Sequence, residues 1–202
     1  MTTSMKTKVN FIIALVIGLL FIGRTEAQTK WALDNAHTGV KFTVSHLVIS
    51  EVEGSFKTFT GSMTAAKPDF TDAQIDFSVD IASVSTDNDQ RDAHLKSDDF
   101  FNAEKFPKMT FKSIVMKKVS DKKYELFGNL TIRDITKKVK FIVSYGGTMK
   151  DPWGNTKIGF KATTTINRLD YGLKWNTLTE TGGAVVGSEV TIIINAEFAQ
   201  QK

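Results

Sequence analysis

The sequence predicts an all-β fold: an eight-stranded antiparallel barrel with a short helical segment near one end. The main observation is a strict alternation of apolar and polar residues, clearest over residues 74–81 and 190–198. Successive side chains of a strand point to opposite faces of a sheet, so this period of two indicates strands with one apolar and one polar face. Helical periodicity is almost absent between them and the connections are short, which favours an up-and-down closure.

The alternation delimits eight strands along the chain. They cover residues 40–48, 55–63, 73–81, 108–117, 124–132, 139–145, 158–166 and 190–198. Turn-forming residues separate them, and Asp151-Pro152-Trp153-Gly154 fits a type I turn with proline second and glycine fourth. Residues 178–187 are looser and contain glycine, so we expect a mobile lip there.

One segment, 89–104, departs from the alternation. It places Ala93, Leu95, Phe100 and Phe101 among charged residues, and Pro107 follows it. We predict short helices over 90–96 and 98–103, each with an apolar side. The segment is either a connector packed on the barrel or a lid over its open end, and the two interpretations are compatible.

The first 27 residues predict a secretory signal peptide. Lys6 and Lys8 precede an apolar run over 11–22, and Thr25 and Ala27 supply the small residues of a cleavage site. We expect cleavage after Ala27, a single domain over 28–202 and a periplasmic location; an uncleaved anchor is the alternative. The chain has no cysteine, so it has no disulfide and no lipid-modified cysteine.

Composition and motifs exclude several functions. The net charge is +4 and the lysines alternate with carboxylates, so we predict no nucleic-acid partner. The three histidines lack the spacing of metal ligands, and we predict no metal and no cofactor. Nucleophile elbow, P-loop and dinucleotide fingerprint are all missing, so we predict no catalytic residues.

The apolar rows of the predicted strands supply the candidate ligand-binding residues. An eight-stranded barrel is about the size at which the interior holds one small ligand, although a solid core would also explain the rows. The predicted wall residues are Val40, Phe42, Val44, Phe77, Val79, Phe111, Phe141 and Phe160, with Phe100 and Phe101 near the open end. His46, Arg91 and His94 are the candidate polar contacts; His46 is also explained as a hydrogen-bonded histidine inside the fold.

The chain resembles the YceI-like family over essentially its whole length after the leader. The likeness rests on these motifs: Asp34-x-x-His37-Thr38, Gly54-Ser55-Phe56, Phe59-x-Gly61, Arg91-Asp92-x-His94-Leu95, Asp98-x-Phe100-Phe101, Phe106-Pro107-x-x-Thr110-Phe111, Gly128-x-Leu130-Thr131-Ile132, Asp151-x-Trp153-Gly154, Asn167-Arg168 and Tyr171-Gly172. Thr38 stands where the family more often has serine, which keeps the hydroxyl.

The resemblance implies a lipocalin-like barrel whose long pocket takes an isoprenoid chain, such as a quinone tail or a polyprenyl phosphate. The family is not known for an established catalytic activity. We therefore predict a periplasmic protein that binds and sequesters or transports an isoprenoid lipid without stable membrane insertion.

Two alternatives of other classes remain. One is a small outer-membrane barrel, in which the apolar rows face lipid. The other is an enzyme acting on a hydrophobic small molecule, with His46 or His94 as base. The sequence leaves the oligomeric state open, a homodimer included.

Overall fold

The computed structural model describes residues 28–178 and 184–201. The predicted signal peptide over 1–27 and the central part of the predicted lip, 179–183, lie outside these residues. Within the described part of the chain, no helix is long and apolar enough to cross a membrane.

Strands make up most of the described chain. They are β1 (Thr29–Leu33), β2 (Gly39–His46), β3 (Ser50–Phe56), β4 (Phe59–Ala65), β5 (Gln74–Asp80), β6 (Val84–Ser85), β7 (Lys108–Ser120), β8 (Lys123–Ile132), β9 (Ile135–Lys150), β10 (Thr156–Asn167) and β11 (Val186–Gln200). One α-helix, α1 (Asp89–Lys96), lies between β6 and β7, and short 3₁₀ turns follow β5 and β10.

The strands close into one antiparallel barrel. Its ring runs β1-β4-β5-β7-β8-β9-β10-β11 and closes where β11 pairs with β1. β11 is long enough to pair with two strands, through Phe198 opposite Leu33 on β1 and Asn195 opposite Gly39 on β2. β1 and β2 therefore together form one interrupted strand of the barrel, and β3 and β4 together form the strand beside it. The barrel thus has eight strands, which confirms the prediction from the sequence.

The strand boundaries differ from the prediction at several places. β2 ends at His46, so Leu47 and Val48 lie in a turn and not in the predicted strand 40–48, and β9 extends beyond the predicted 139–145 at both ends. β1 is missing from the predicted set, because five residues are too short to show an alternation. The predicted strand 55–63 is broken at Lys57 and Thr58, where the Thr58 amide donates to Ser83 Oγ instead of continuing a ladder.

The helical segment is shorter than predicted. α1 begins after Asn88, whose side chain accepts from the Arg91 amide, and ends before Ser97. The predicted second helix over 98–103 is wrong, since these residues form consecutive turns. The guanidinium of Arg133 holds them by donating to the carbonyl oxygens of Asp98 and Phe100 and to the Asp98 carboxylate.

A β-bulge changes the inward row of β7. Met109, Phe111 and Ser113 are buried in alternation, but the register shifts between Ser113 and Val115. The extra residue turns Met116 inward, where it is 2% exposed, and Val115 loses the inward place that the alternation predicts for it.

The two ends of the barrel are distinct. At one end, which we call the helix end, lie α1, the turns of 98–105, the β8–β9 turn, the β2–β3 turn and the segment between β10 and β11. The other end carries the β4–β5, β7–β8 and β9–β10 connections. We call this the plug end, because aromatic rings around Phe70 close it.

Candidate functional site

The interior of the barrel contains a cavity near the plug end, which we call the inner cavity. It measures about 70 Å³, taken as the volume open to the centre of a water-sized sphere. Its lining is entirely apolar: Met63, Ile75, Phe77, Phe111, Met116, Leu126, Phe141, Val143, Phe160, Ala162, Ile194, Ala196 and Phe198. A dry apolar cavity of this kind takes apolar ligand groups and does not hold water.

A second cavity, the outer cavity, lies at the helix end and measures about 80 Å³ on the same definition. β2, β3, β7, β8, β10 and β11 supply its walls, and Leu95, Phe100 and Phe101 cover it. The segment 89–104 is thus both a packed connector and a cover over this end of the barrel.

The two cavities are stacked along the barrel axis. Met109 lines the outer cavity and Phe111, the next inward residue of β7, lines the inner one; Ile192 and Ile194 of β11 divide in the same way. On β8, Leu126 lines the inner cavity and Ile132 lines the outer one, and the buried Leu130 lies between them. A chain that fills both cavities must therefore pass this layer of side chains.

The inner cavity is closed at the far end by a cluster of aromatic rings, the end plug. Phe70, from the β4–β5 connection, is 5% exposed and meets the rings of Trp31, Tyr145 and Phe160 at centroid separations of 5.5–6.1 Å. Edge-to-face aromatic packing of this kind is stabilising beyond the area that it buries. The interior is consequently blocked at this end.

The outer cavity opens to solvent through a depression of about 370 Å³, the vestibule, whose lining contains both polar and apolar side chains. It shares Phe42, Val44 and Phe100 with the outer cavity and adds exposed residues from α1, including Arg91. Its lining also contains Ser45, His46, Val52, Thr86, Asn88, Gln90, His94, Leu95, Trp175, Val185 and Val186. All three candidate polar residues therefore meet at one opening.

Arg91 is held in a fixed position at the vestibule. Its Nε and Nη2 donate to the hydroxyl and carbonyl oxygens of Thr86, both at 2.7 Å. The buried Asp92 carboxylate in turn accepts from the Thr86 amide and hydroxyl. A guanidinium carries five N–H donors, so three remain without a partner among the described residues.

The two histidines of the vestibule differ. His94 Nε2 lies 2.8 Å from Asp99 Oδ2, and its ring packs edge-on against Phe100 and Trp175. His46 is half-buried at the end of β2, and the described residues offer its ring no hydrogen bond. Both interpretations of His46, as a hydrogen-bonded histidine inside the fold and as a contact for a ligand head group, stay predictions.

Arg168 is a buried cation that sequence reasoning missed. It is 3% exposed, lines the outer cavity, and donates to the carbonyl oxygens of Leu173, Trp175, Val186 and Gly187. Burial lowers the pKa of its guanidinium. Because its acceptors lie on both sides of residues 179–183, Arg168 ties together the two ends of the predicted lip.

Three phenylalanines of the cavity walls lie across glycines of neighbouring strands. A Cβ at Gly54 would lie 2.2 Å from the Phe42 ring, at Gly61 2.7 Å from Phe77, and at Gly128 2.2 Å from Phe111. The missing side chains allow these rings to lie flat on the wall, which leaves the centre of the barrel open.

A charged cluster on the barrel wall is unrelated to this interior. Asp34 Oδ2 accepts from Lys157 Nζ and lies 3.1 Å from His37 Nδ1, while Lys157 also reaches Glu197 at 3.2 Å. Asp34, His37 and Glu197 lie close enough to surround a metal ion, but the Lys157 ammonium already forms ion pairs with both carboxylates. Its hydrogen bond is the main cause that lowers the pKa of Asp34 to about 2.

The predicted wall residues lie where the sequence analysis expects them, with one exception. Phe77, Phe111, Phe141 and Phe160 line the inner cavity, and Val40, Phe42, Val44, Phe100 and Phe101 line the outer one. Val79 is buried but lines neither cavity. Contact of any of these residues with a ligand stays a prediction.

A closed antiparallel barrel with an apolar interior that opens at one end defines the chain as a lipocalin-like β-barrel protein. Residues 31–198 match the YceI-like domain, and the chain belongs to this family. The sequence resemblance is confirmed.

Relatives and solved structures agree with this assignment. The UPF0312 protein SAS2572 of Staphylococcus aureus is 38% identical over 173 residues, which cover 85% of this chain and 98% of the relative. The crystal structure of a Campylobacter jejuni YCEI protein is 34% identical, with a TM-score of 0.67, over 78% of this chain and 90% of that one.

A third comparison shows similarity of fold alone. The structure of a polyisoprenoid binding domain from Saccharophagus degradans has a TM-score of 0.64 at 14% identity, over 85% of this chain and 98% of that one.

Proposed function

We propose that this protein binds a long-chain isoprenoid lipid, with the tail in the barrel and the head group in the vestibule, and sequesters or transports it in the periplasm. The observation that carries the proposal is the order of the interior: a vestibule that contains polar side chains, an apolar outer cavity, an apolar inner cavity and a closed end. An amphiphile with one head group and one long tail fits this order. The predicted leader supports the periplasmic location.

Burial of the tail would supply the affinity. Each buried CH₂ contributes about 0.8 kcal/mol, so a five-carbon isoprene unit supplies roughly 4 kcal/mol before entropic costs. Non-covalent affinity saturates near about −18 to −21 kcal/mol, and immobilising a flexible chain opposes binding. Tail length is therefore selected by the position of the end plug and not by the sum of contacts.

The tail needs more room than the two cavities provide as they stand. A water needs about 10–15 Å³ on this definition, so cavities of about 70 and 80 Å³ accept a few carbon atoms each. Methionines 63, 109 and 116 line the cavities and have flexible, unbranched side chains. Binding accordingly displaces these side chains and joins the two cavities.

The head group would meet a cationic opening. Among the described residues, Arg91 has N–H donors without a partner at the vestibule, and the His46 ring lies beside it, whereas the His94 ring is already held by Asp99. These groups suit a phosphate or the carbonyl oxygens of a quinone equally well. The known fold neighbour from Saccharophagus degradans, described as a polyisoprenoid binding domain, supports the choice of ligand class.

The orientation of the barrel faces disfavours the outer-membrane alternative. That alternative needs apolar rows on the outside, whereas here the apolar rows face inward. The outward row carries charged pairs such as Asp76 with Lys112.

Mass spectrometry of lipid extracted from protein purified out of its native periplasm tests the proposal. We expect a prenylated molecule in stoichiometric amount, and the delipidated protein should take up an isoprenoid quinone in preference to an unbranched acyl chain of equal length. A protein that carries no lipid and takes up neither probe would contradict the proposal. Chemical turnover of the probe would favour the enzyme alternative.

A further inference from the structure

The turn between β2 and β3 presents three consecutive aliphatic side chains to solvent. Leu47 is 39% exposed, Val48 76% and Ile49 85%. We call these three residues the hairpin tip. Hydrophobic residues scattered singly on a surface are ordinary, but three together at the most protruding part of a hairpin mark a contact site.

The backbone of the hairpin tip is not one that its residues favour. Leu47 and Val48 have φ angles of 52° and 64°, and the Ile49 amide donates to the His46 carbonyl oxygen at 3.2 Å. Two successive positive φ angles are the signature of a type I′ turn, which Asn-Gly adopts with least strain. A β-branched residue such as Val48 is an outlier there. The leucine and valine are therefore not explained by the stability of the turn.

The hairpin tip adjoins the opening of the vestibule. Ser45, His46 and Val52, on the two strands that lead into the tip, all line the vestibule. The Leu47 amide donates to the carbonyl oxygen of Val185, which also lines it. Leu178 bridges to Ala184 beside this contact and is 60% exposed, which extends the apolar surface along the same rim.

We propose that the hairpin tip, with Leu178, docks the protein onto the surface of a lipid bilayer and holds the vestibule against it. This inference rests on the proposed function, because a lipid tail that never crosses open water must leave the bilayer directly into the barrel. The tip is convex and aliphatic, without the aromatic and arginine side chains that anchor protein interfaces. These four side chains give reversible binding at the interface and no insertion.

Vesicle flotation with matched variants tests the docking. The probe is a vesicle of phosphatidylethanolamine with a minority of phosphatidylglycerol. Leu47→Asn combined with Val48→Gly should weaken vesicle binding on the order of tenfold, because several buried methyl and methylene groups are lost. The same variant should melt at a higher temperature, because Asn-Gly relieves the strain of the turn. A folding defect cannot produce this combination.

Trp153→Ser is the control variant. Trp153 is 84% exposed, as much as Ile49, but lies in the β9–β10 turn at the plug end. Trp153→Ser should leave vesicle binding unchanged, whereas Ile49→Ser should weaken it. Docking through apolar side chains should also persist in high salt.

Two outcomes would overturn the docking proposal. Equal vesicle binding by the wild-type protein and the Leu47→Asn/Val48→Gly variant would show that the tip makes no contact with lipid. Loss of binding in Trp153→Ser alone would place the contact at the other end. Uptake of a detergent-solubilised isoprenoid quinone by the same variants separates this result from the proposed function. Normal uptake by a variant that binds vesicles weakly supports docking. Absence of uptake by the wild-type protein contradicts the proposed function itself.

Discussion

The ring of Phe111 lies directly over Gly128 of the neighbouring strand. A Cβ on Gly128 would approach Phe111 Cζ to 2.2 Å and the carbonyl oxygen of Lys112 to 2.6 Å. Both the Phe111 ring and the backbone of β7 therefore require a residue without a side chain at position 128. Phe77 has a similar relation to Gly61, but there the three nearest atoms all belong to the side chains of Phe77 and Leu33.

Alanine at these two glycines should have different effects. Gly128→Ala should lower the free energy of unfolding by about 1–3 kcal/mol, because the backbone of Lys112 cannot move aside easily. Gly61→Ala should cost less stability but turn the Phe77 ring into the inner cavity and reduce lipid uptake. Denaturant unfolding and quinone uptake measure the two effects. A Gly61→Ala variant with unchanged uptake would show that this ring does not limit the cavity.

Phe77→Asp should abolish co-purification of lipid, because it places a carboxylate in a fully apolar cavity. Ser78→Asp is the control, since Ser78 points to the other face of β5. Both variants should keep the β-sheet circular dichroism spectrum. Lipid bound to a folded Phe77→Asp protein would show that the inner cavity is not the tail site.

Phe70→Leu should lengthen the tails that the protein accepts. The substitution removes a ring from the end plug and leaves the opening at the helix end unchanged. Mass spectrometry of co-purified lipids should show a shift toward longer prenyl chains, and Tyr145→Phe, which keeps the ring, should show none. An unchanged length distribution would mean that the tail stops before the plug.

Arg133→Met should accelerate the release of bound lipid. Arg133 donates to three carbonyl oxygens, those of Asp98, Phe100 and Gly172, and so holds the turn that covers the outer cavity. Lys137→Met is the control, because Lys137 forms an exposed pair with Asp170. Stopped-flow transfer of a fluorescent isoprenoid to vesicles measures the rate. Equal rates for the two variants would exclude a gating role for this turn.

Asp34 should make the protein sensitive to acid. Its pKa is about 2 in the folded protein, below the ordinary value of 3.8, chiefly because Lys157 donates to it. A carboxyl group whose pKa is lower in the folded than in the unfolded protein stabilises the fold at pH values above its pKa in the unfolded protein. This contribution is therefore lost as the pH falls from about 4 to about 2.

The loss should be on the order of 1–2 kcal/mol after solvent screening. Urea unfolding across this pH range should show a shallower slope for Asp34→Asn than for the wild type. Parallel slopes would contradict the assignment.

The sequence predicts the barrel well because inward rows repeat with period two over most of each long strand. β1 escapes the prediction because it has five residues, and the break at Lys57 depends on a hydrogen bond to a distant serine. Met116 turns inward through a bulge that apolar alternation cannot show.

The site is less predictable than the fold. The hydrogen bonds that Arg168 makes to the described residues all go to backbone carbonyl oxygens, on both sides of residues 179–183, so no pattern of side chains along the chain reveals its partners. The resemblance to the family marks Asn167-Arg168 as a motif, but it does not state this role. The division of the interior into two cavities depends on side-chain packing across the barrel, which lies beyond any one-dimensional pattern.

The ring of Phe70 makes the barrel a blind tube. A guest that goes in tail first can leave only head first, through the same opening. An acceptor of the bound molecule would therefore meet its polar head group first, and would bind this group before the hydrocarbon tail leaves the barrel. On the proposed function, selective delivery would therefore depend on recognition of the head group, while the end plug would set the chain length separately.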